Sequence, residues 1–212
     1  MDAVVAGGTG LVGRALLAEL AADASFGRVA ALSRRPFDAP ARVEARVLDL
    51  ATLEPEEMPP ADAGFCCLGT TIKAAGSQEA FRAVDHGLVL RFARACRDSG
   101  VSSFHVVSAL GANAESRVFY NRVKGEMERD VAALGFETLR VYRPSLLLGE
   151  RQEPRRGERA GIAVAKALRP LIPRRYRGVP AEVVARAMAR GAKEGGPGLR
   201  VVESDDIARL GA

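Results

Sequence analysis

The sequence has no tryptophan, two histidines and three cysteines among 212 residues. Cys66 and Cys67 are adjacent and cannot easily bridge each other, and with Cys96 the count is odd. A disulfide framework is excluded, and a reducing, cytoplasmic setting is expected. His86 and His105 lie far apart, and no Cys or His spacing matches a metal motif, so no metal is expected. No stretch approaches the roughly 18 to 20 uninterrupted apolar residues of a membrane span, so no membrane role is expected. Met1 leads almost directly into Ala3-Val4-Val5-Ala6, which gives no basic and apolar leader regions, and no secretory signal is expected. What remains is ordinary for a globular chain: 48% hydrophobic and 27% charged residues in 22.5 kDa, enough for one domain with a real core.

Lysine is also scarce. Of 31 basic residues only Lys73, Lys124, Lys166 and Lys193 are lysines, against 26 acids and a net charge of +5. Arginine-rich coding in a GC-rich genome accounts for this; so does anion handling, because the guanidinium fork matches phosphates and carboxylates. The excess is local. Residues 151–177 hold nine basic side chains against Glu153 and Glu158, so this stretch carries +7 and the remainder −2. Its only aromatic is Tyr176, which argues against a nucleic-acid partner. Arg151, Arg155 and Arg156 either hold an anionic substrate or pair on a solvated loop with Glu150, Glu153 and Glu158, the commoner arrangement.

Short apolar runs alternate with helical patterns, the signature of an α/β fold with a parallel, doubly wound Rossmann-type sheet. Strands are predicted at 3–6, 28–32, 43–48, 64–68, 103–108 and 137–142. Their cores, such as Phe104-His105-Val106-Val107, are near-continuously apolar, as strands covered on both faces are, and His105 in such a strand is expected to be a hydrogen-bonded core histidine. Helices are predicted at 11–22, at 77–98 with Ser77 as cap, and at 116–134 before Gly135. The 33–42 and 54–60 crossovers are short, and Pro59-Pro60 leaves room for at most one helical turn. Beyond an arginine-rich loop from 149, helices at 160–168 and 181–193, a strand at 199–203 and a terminal helix capped by Ser204 are expected. The division is a cofactor-binding domain at 1–148 and a small substrate-side segment at 149–212, together one compact unit.

Glycines 7, 10 and 13 stand between the first strand and the first helix. A tight turn and close backbone approach require residues without Cβ, and the helix N-terminus beyond them stabilises a pyrophosphate. Gly7, Thr9, Gly10, Leu11, Val12 and Gly13 are therefore dinucleotide-binding candidates. The end of the second strand reads the adenosine ribose: an acid there suits NAD, an arginine the 2′-phosphate of NADP. The position holds Ser33-Arg34-Arg35, with no acid until Asp38. Either these are two solvated arginines or they favour NADP(H) over NAD(H), with Arg34 the primary contact and Arg35 stacking on adenine; the second reading is preferred.

Tyr120 and Lys124 are one helical turn apart and share a face, and Ser108 ends the fifth strand at the sheet edge that presents residues to ligands. The three suit hydride transfer between a carbonyl and an alcohol. Tyr120 exchanges the proton with its pKa lowered by Lys124 and the oxidised nicotinamide, Lys124 also holds the ribose, and Ser108 stabilises charge on the substrate oxygen.

With these residues in order, the chain resembles the short-chain dehydrogenase/reductase superfamily. The likeness is to its atypical branch, the HIV Tat-interacting-protein-like and bacterial nucleoside-diphosphate-sugar-epimerase-like proteins. The sharper matches are Gly64-Phe65-Cys66-Cys67-Leu68-Gly69-Thr70-Thr71, Tyr120-Asn121-Arg122-Val123-Lys124-Gly125-Glu126, and Arg143-Pro144-Ser145 followed by Gly149-Glu150-Arg151. The resemblance implies that Asp49 and Leu50 face the adenine and that Leu68, Gly69 and Thr70 line the ribose. It also implies that Arg143, Pro144 and Ser145 lie by the nicotinamide, with Ser145 where the family often has glycine. Many relatives carry an active-site Asn where this chain has Asp85, a departure that bears on any proton relay. The implied activity is an NADP(H)-dependent oxidoreductase acting on a small-molecule substrate. The alternatives are an NADP(H)-sensing regulatory protein with a protein partner, and an epimerase, for which the C-terminal region is small. Monomer and homodimer are both open, since Phe81 and Phe92 serve a core or a helix-face interface equally well.

Overall fold

The computed structural model describes residues 1–149 and 173–212; the expected helix at 160–168 and the residues Arg151, Arg155 and Arg156 lie outside them. Seven strands form one parallel sheet in the order β3-β2-β1-β4-β5-β6-β9. They are β1 (Ala3–Ala6), β2 (Val29–Ser33), β3 (Val43–Val47), β4 (Ala63–Cys66), β5 (Ser103–Val107), β6 (Thr138–Arg143) and β9 (Gly198–Glu203). Two short strands, β7 (Leu147–Leu148) and β8 (Val179–Pro180), pair separately. Successive residues of the buried strands feed opposite faces, as a period of two requires. Val5, Ala31, Phe65 and Tyr142 pack against Leu16, Leu17 and Leu20 of α1 (Leu11–Ala22) and Val184 and Met188 of α6 (Ala181–Glu194). Val4, Leu32, Cys66, Phe104 and Val141 face the other way, toward Phe92 and Cys96 of α4 (Val89–Asp98) and Met127 and Val131 of α5 (Phe119–Ala132). Phe81 and Phe92 are both fully buried within the chain.

From β1 the chain proceeds to β2 on one side and later to β4 on the other, so a crevice opens beyond the carboxyl ends of β1 and β4. The described part of the C-terminal stretch is built into this frame. β9 extends the sheet through β6, with Val141 opposite Val201, and Lys193 of α6 reaches Asp23 behind α1 at 2.5 Å. The Gly195–Gly198 turn has positive φ at three glycines, and buried Arg140 donates to the carbonyls of Gly195, Gly196 and Gly198.

The 33–42 crossover holds no helix and the 54–60 crossover a single 3-10 turn at Pro55–Glu57, as the prolines require. Elsewhere the structure departs from expectation. A short α2 (Ile72–Ala75) precedes the long helix, capped by the Thr71 hydroxyl and ended by Gly76 at φ 90°. Ser77 accepts from Ala80 N as a cap should, but the helix that follows is not regular. It runs as α3 (Gln78–Arg82), widens into a π turn over Ala83–Leu88, and resumes as α4. α5 begins at Phe119 rather than 116, because the Ser116 hydroxyl accepts from Val118 N and holds a turn there. Ser204 is the first residue of α7 (Ser204–Leu210), not its cap, and its hydroxyl accepts from Ser145 N instead.

Candidate cofactor and active site

At the crevice, backbone crowding dictates the glycines. Gly7 has φ 84°, and a Cβ there would lie 2.5 Å from the Cys67 carbonyl carbon. A Cβ on Gly13 would lie 2.1 Å from Gly7 O, so this glycine lets α1 close on β1. Gly10 is different: its nearest obstacle is Gly7 O at 3.3 Å, and its open side faces a cleft of about 410 Å³. The Leu11 side chain packs toward Gly149 and Val12 is buried in the core, so only their backbone N–H groups at the start of α1 are available to an anion.

Thr9, Gly10, Leu32, Ser33, Arg34 and Leu50 line one wall of this cleft, and Leu68, Gly69 and Thr70 the other. The Ser33 hydroxyl donates to Arg35 O at 2.7 Å and fixes the loop after β2. Arg34 is exposed and borders the cleft; Arg35 is exposed beside it and does not line it. Leu50 is buried, whereas the Asp49 carboxylate is occupied by Ala51 N at 3.0 Å. Cys67 lines the cleft next to Gly7. Burial pushes the Cys66 thiol up to about 12 and raises Cys67 and Cys96 as well, so all three are poor nucleophiles.

Gly69 joins this cleft to the second half of the site. A Cβ on it would lie 3.4 Å from Asp85 Oδ1 and 3.9 Å from Lys124 Nζ. Lys124 is 3% and Asp85 1% exposed, and they form an ion pair of 2.8 Å. The second Asp85 oxygen accepts from Thr70 N, also at 2.8 Å. Asp85 lies in the π turn of the long helix, a kind of irregularity that clusters at functional sites. Tyr120 is half-buried on the same face of α5 as Lys124, its ring 5.3 Å from that of Phe81. Ser108 follows β5, with its N–H bonded to Tyr142 O at 2.7 Å. Its hydroxyl is buried and has no hydrogen-bond partner among the described residues, an arrangement that costs stability unless a ligand completes it.

Two expectations are corrected. The Tyr120 hydroxyl is not lowered: burial raises it, and the pull of Lys124 is opposed by the neighbouring Asp85 carboxylate. Arg143 does not turn toward the cleft. It grips both oxygens of Glu128 on α5, at 3.0 and 2.5 Å, and reaches Glu203 at 3.1 Å, lining a separate groove between α5 and β9. It alternates with Tyr142 along β6 and so belongs to the other face of the sheet. Pro144 is buried with its carbonyl accepting from Leu110 N, and the Ser145 hydroxyl donates to Arg177 O. His105 is a core histidine as expected. Its ring bonds Ser103 Oγ at 2.9 Å and Tyr142 Oη at 3.2 Å, and burial followed by Arg140 pushes it down to about 3. No cluster of metal-ligating side chains occurs among the described residues, and no helix among them is long and apolar enough to cross a membrane.

Residues 7–143 match a family model described as NAD(P)H-binding. The chain belongs to this NAD(P)H-binding family. Among curated relatives, FMP52, mitochondrial, of Eremothecium gossypii is 39% identical over 99% of this chain and 97% of that protein. HTATIP2 of Rattus norvegicus is 35% identical over 98% and 88%. MoeE5 in complex with UDP-glucose and NAD shares the fold with a TM-score of 0.74 at 18% identity, over 100% of this chain and 81% of that one. A UDP-N-acetylglucosamine 4-epimerase from Bacillus cereus follows with 0.71 at 16%, over 99% and 83%. The resemblance to the HIV Tat-interacting-protein-like branch and the Rossmann-type fold thus hold. The cytoplasmic setting does not: several FMP52 relatives are named mitochondrial. Free cysteines report a reducing environment, which is not the same as a compartment.

Proposed function

We propose that this protein is an NADP(H)-dependent oxidoreductase of the short-chain dehydrogenase type, acting on a small carbonyl or alcohol substrate. The observation that carries the reading is the Ser108 hydroxyl, buried after β5 without a hydrogen-bond partner among the described residues, at the carboxyl side of the sheet where the glycine cradle and the Gly69 loop beside Lys124 also lie. The cradle fits a dinucleotide, because Gly10 leaves the cleft open while Gly7 and Gly13 let the loop and α1 close tightly beside it, and the exposed Arg34 at its rim suits a 2′-phosphate. When bound, the nicotinamide supplies or accepts the hydride at the substrate carbon. Ser108 Oγ donates to the substrate oxygen as negative charge develops there. Tyr120 Oη gives its proton to that oxygen in the reductive direction and takes one from the alcohol in the oxidative direction. Lys124, beside Gly69, orients the ribose.

A raised Tyr120 suits the acid role: the hydroxyl keeps its proton through neutral pH, so reduction runs there, and oxidation gains as pH rises. Tyr120→Phe leaves the fold intact and removes the proton donor, with an expected loss of about 10²–10⁴-fold in NADPH consumption on an active carbonyl. Cofactor absorbance over a carbonyl panel reads this directly. Tight NADPH binding without turnover on any member would replace the reading with a cofactor sensor. Product formation without net cofactor oxidation would replace it with an epimerase.

A further inference from the structure

Asp85 is a full negative charge placed against the lysine on which the site depends. The two groups are 2.8 Å apart and almost completely shielded from water. At such separation in a poorly screened setting, a third group senses a compact dipole, whose field falls off faster than that of a lone cation. A neutral amide at this position would leave Lys124 uncompensated. The other Asp85 oxygen holds Thr70 N, so one carboxylate clamps the lysine to the loop that lines the cleft. The π turn is what brings it inward.

We propose that Asp85 is a positioning residue that cancels the Lys124 charge at the Tyr120 hydroxyl, so that Tyr120 rests as a protonated acid, while it ties the 69–70 loop to Lys124. The inference rests on the reading of Tyr120 as the proton-transfer group. The charges acting on that hydroxyl are Lys124 from its own helix and Asp85 from the π turn; from α3 the neighbour is the Phe81 ring. Arg82 is paired with Glu126, and His86 with Asp130, along the same helix contact.

The test is a titration of Tyr120 by phenolate absorbance, which a chain without tryptophan makes easy, with Tyr120→Phe as the reference that assigns the transition. Asp85→Asn moves the Tyr120 midpoint down by about one unit, tenfold more phenolate at a given pH. Asp85→Asn combined with Lys124→Met removes both charges and returns the midpoint to within about half a unit of the starting protein. An unmoved or raised midpoint in Asp85→Asn overturns the inference. Where that single variant fails to fold by circular dichroism, the double variant decides. A midpoint raised by about one unit there means that Lys124 had acted uncompensated, and the inference falls. If the unaltered protein unfolds at high pH before Tyr120 ionises, that pH is its lower bound, and a variant transition below it is the expected result; none below it overturns the inference. Neither cofactor nor substrate is needed, so a protein without turnover loses the oxidoreductase reading and keeps this result, and an unmoved midpoint removes only this one.

Discussion

Gly10 caps α1 and Gly13 lies in its first turn, yet the space around them differs. A methyl on Gly13 meets the Gly7 carbonyl at 2.1 Å, and a backbone atom in a closed loop cannot give way cheaply. Overpacking of this kind costs about 1–3 kcal/mol, which lowers the melting temperature of a chain this size by about 2–12 °C. A methyl on Gly10 finds its nearest neighbour at 3.3 Å and points to the cleft. Gly10→Ala therefore melts within about 2 °C of the parent but binds NADPH at least about tenfold more weakly, about 1.4 kcal/mol, because the methyl takes the place of a phosphate oxygen. Thermal melts and a cofactor-fluorescence titration separate the two variants. Equal melts for both would mean that the loop is not built as the contacts describe. The sequence placed these glycines by spacing alone, and spacing says nothing of which one faces the ligand.

The central strands were legible because both of their faces are apolar, and α1 and α6 because their apolar residues recur on one side. The π turn was not. A widened turn leaves the apolar spacing of Phe81, Leu88 and Phe92 close to that of a regular helix, so spacing gave no sign that Asp85 points inward, and only the family resemblance set it at the active site. The Asp85–Lys124 pair joins residues 39 positions apart, and no local rule brings them together. Arg143 was misplaced for the opposite reason: the motif around it suggested the cofactor, while simple alternation along β6 sends its side chain to α5. His105 was read correctly from its apolar strand. With Tyr142 and Ser103 it forms a polar knot linking β5, β6 and α6, and Gly191 has no Cβ because one would lie 2.2 Å from Tyr142 Oη. A histidine held at about 3 when folded and near 6.5 when unfolded takes up its proton preferentially in the unfolded chain between those values. Its contribution is whole above about pH 6.5 and is lost as pH falls toward 3, at a limiting slope of about 1.4 kcal/mol per unit. His105→Gln removes this titration, so its denaturant-unfolding stability should fall less steeply between pH 6 and 4 than that of the parent. Parallel slopes would place the acid sensitivity with the carboxylates alone.

At the scale of the whole molecule, the cleft spans the point where strand order reverses, with β1, β2 and the start of α1 on one side and the loop after β4, α2, α3 and the π turn on the other. A dinucleotide bound there touches both halves of the sheet and exists only on the folded chain, so it raises global stability by mass action. At 100 times its dissociation constant NADPH adds about 2.7 kcal/mol, a rise of about 5–11 °C in melting temperature for a domain of this length. Which cofactor does so is decided at the rim. Arg34 is exposed and carries no ion pair among the described residues, so its charge is available to a 2′-phosphate, and no acid stands at the end of β2 to take a 2′-hydroxyl instead. At equal concentrations NADPH should therefore raise the melting temperature further than NADH, and Arg34→Ala should reduce the NADPH shift to that of NADH while leaving the NADH shift alone. Equal shifts in the parent would mean that the 2′-phosphate goes unread and that Arg34 is a solvated surface charge. A larger NADPH shift that survives Arg34→Ala would move the reading of the phosphate to Arg35, because Arg42, the other guanidinium of the loop after β2, donates to the Ala21 and Phe26 carbonyls.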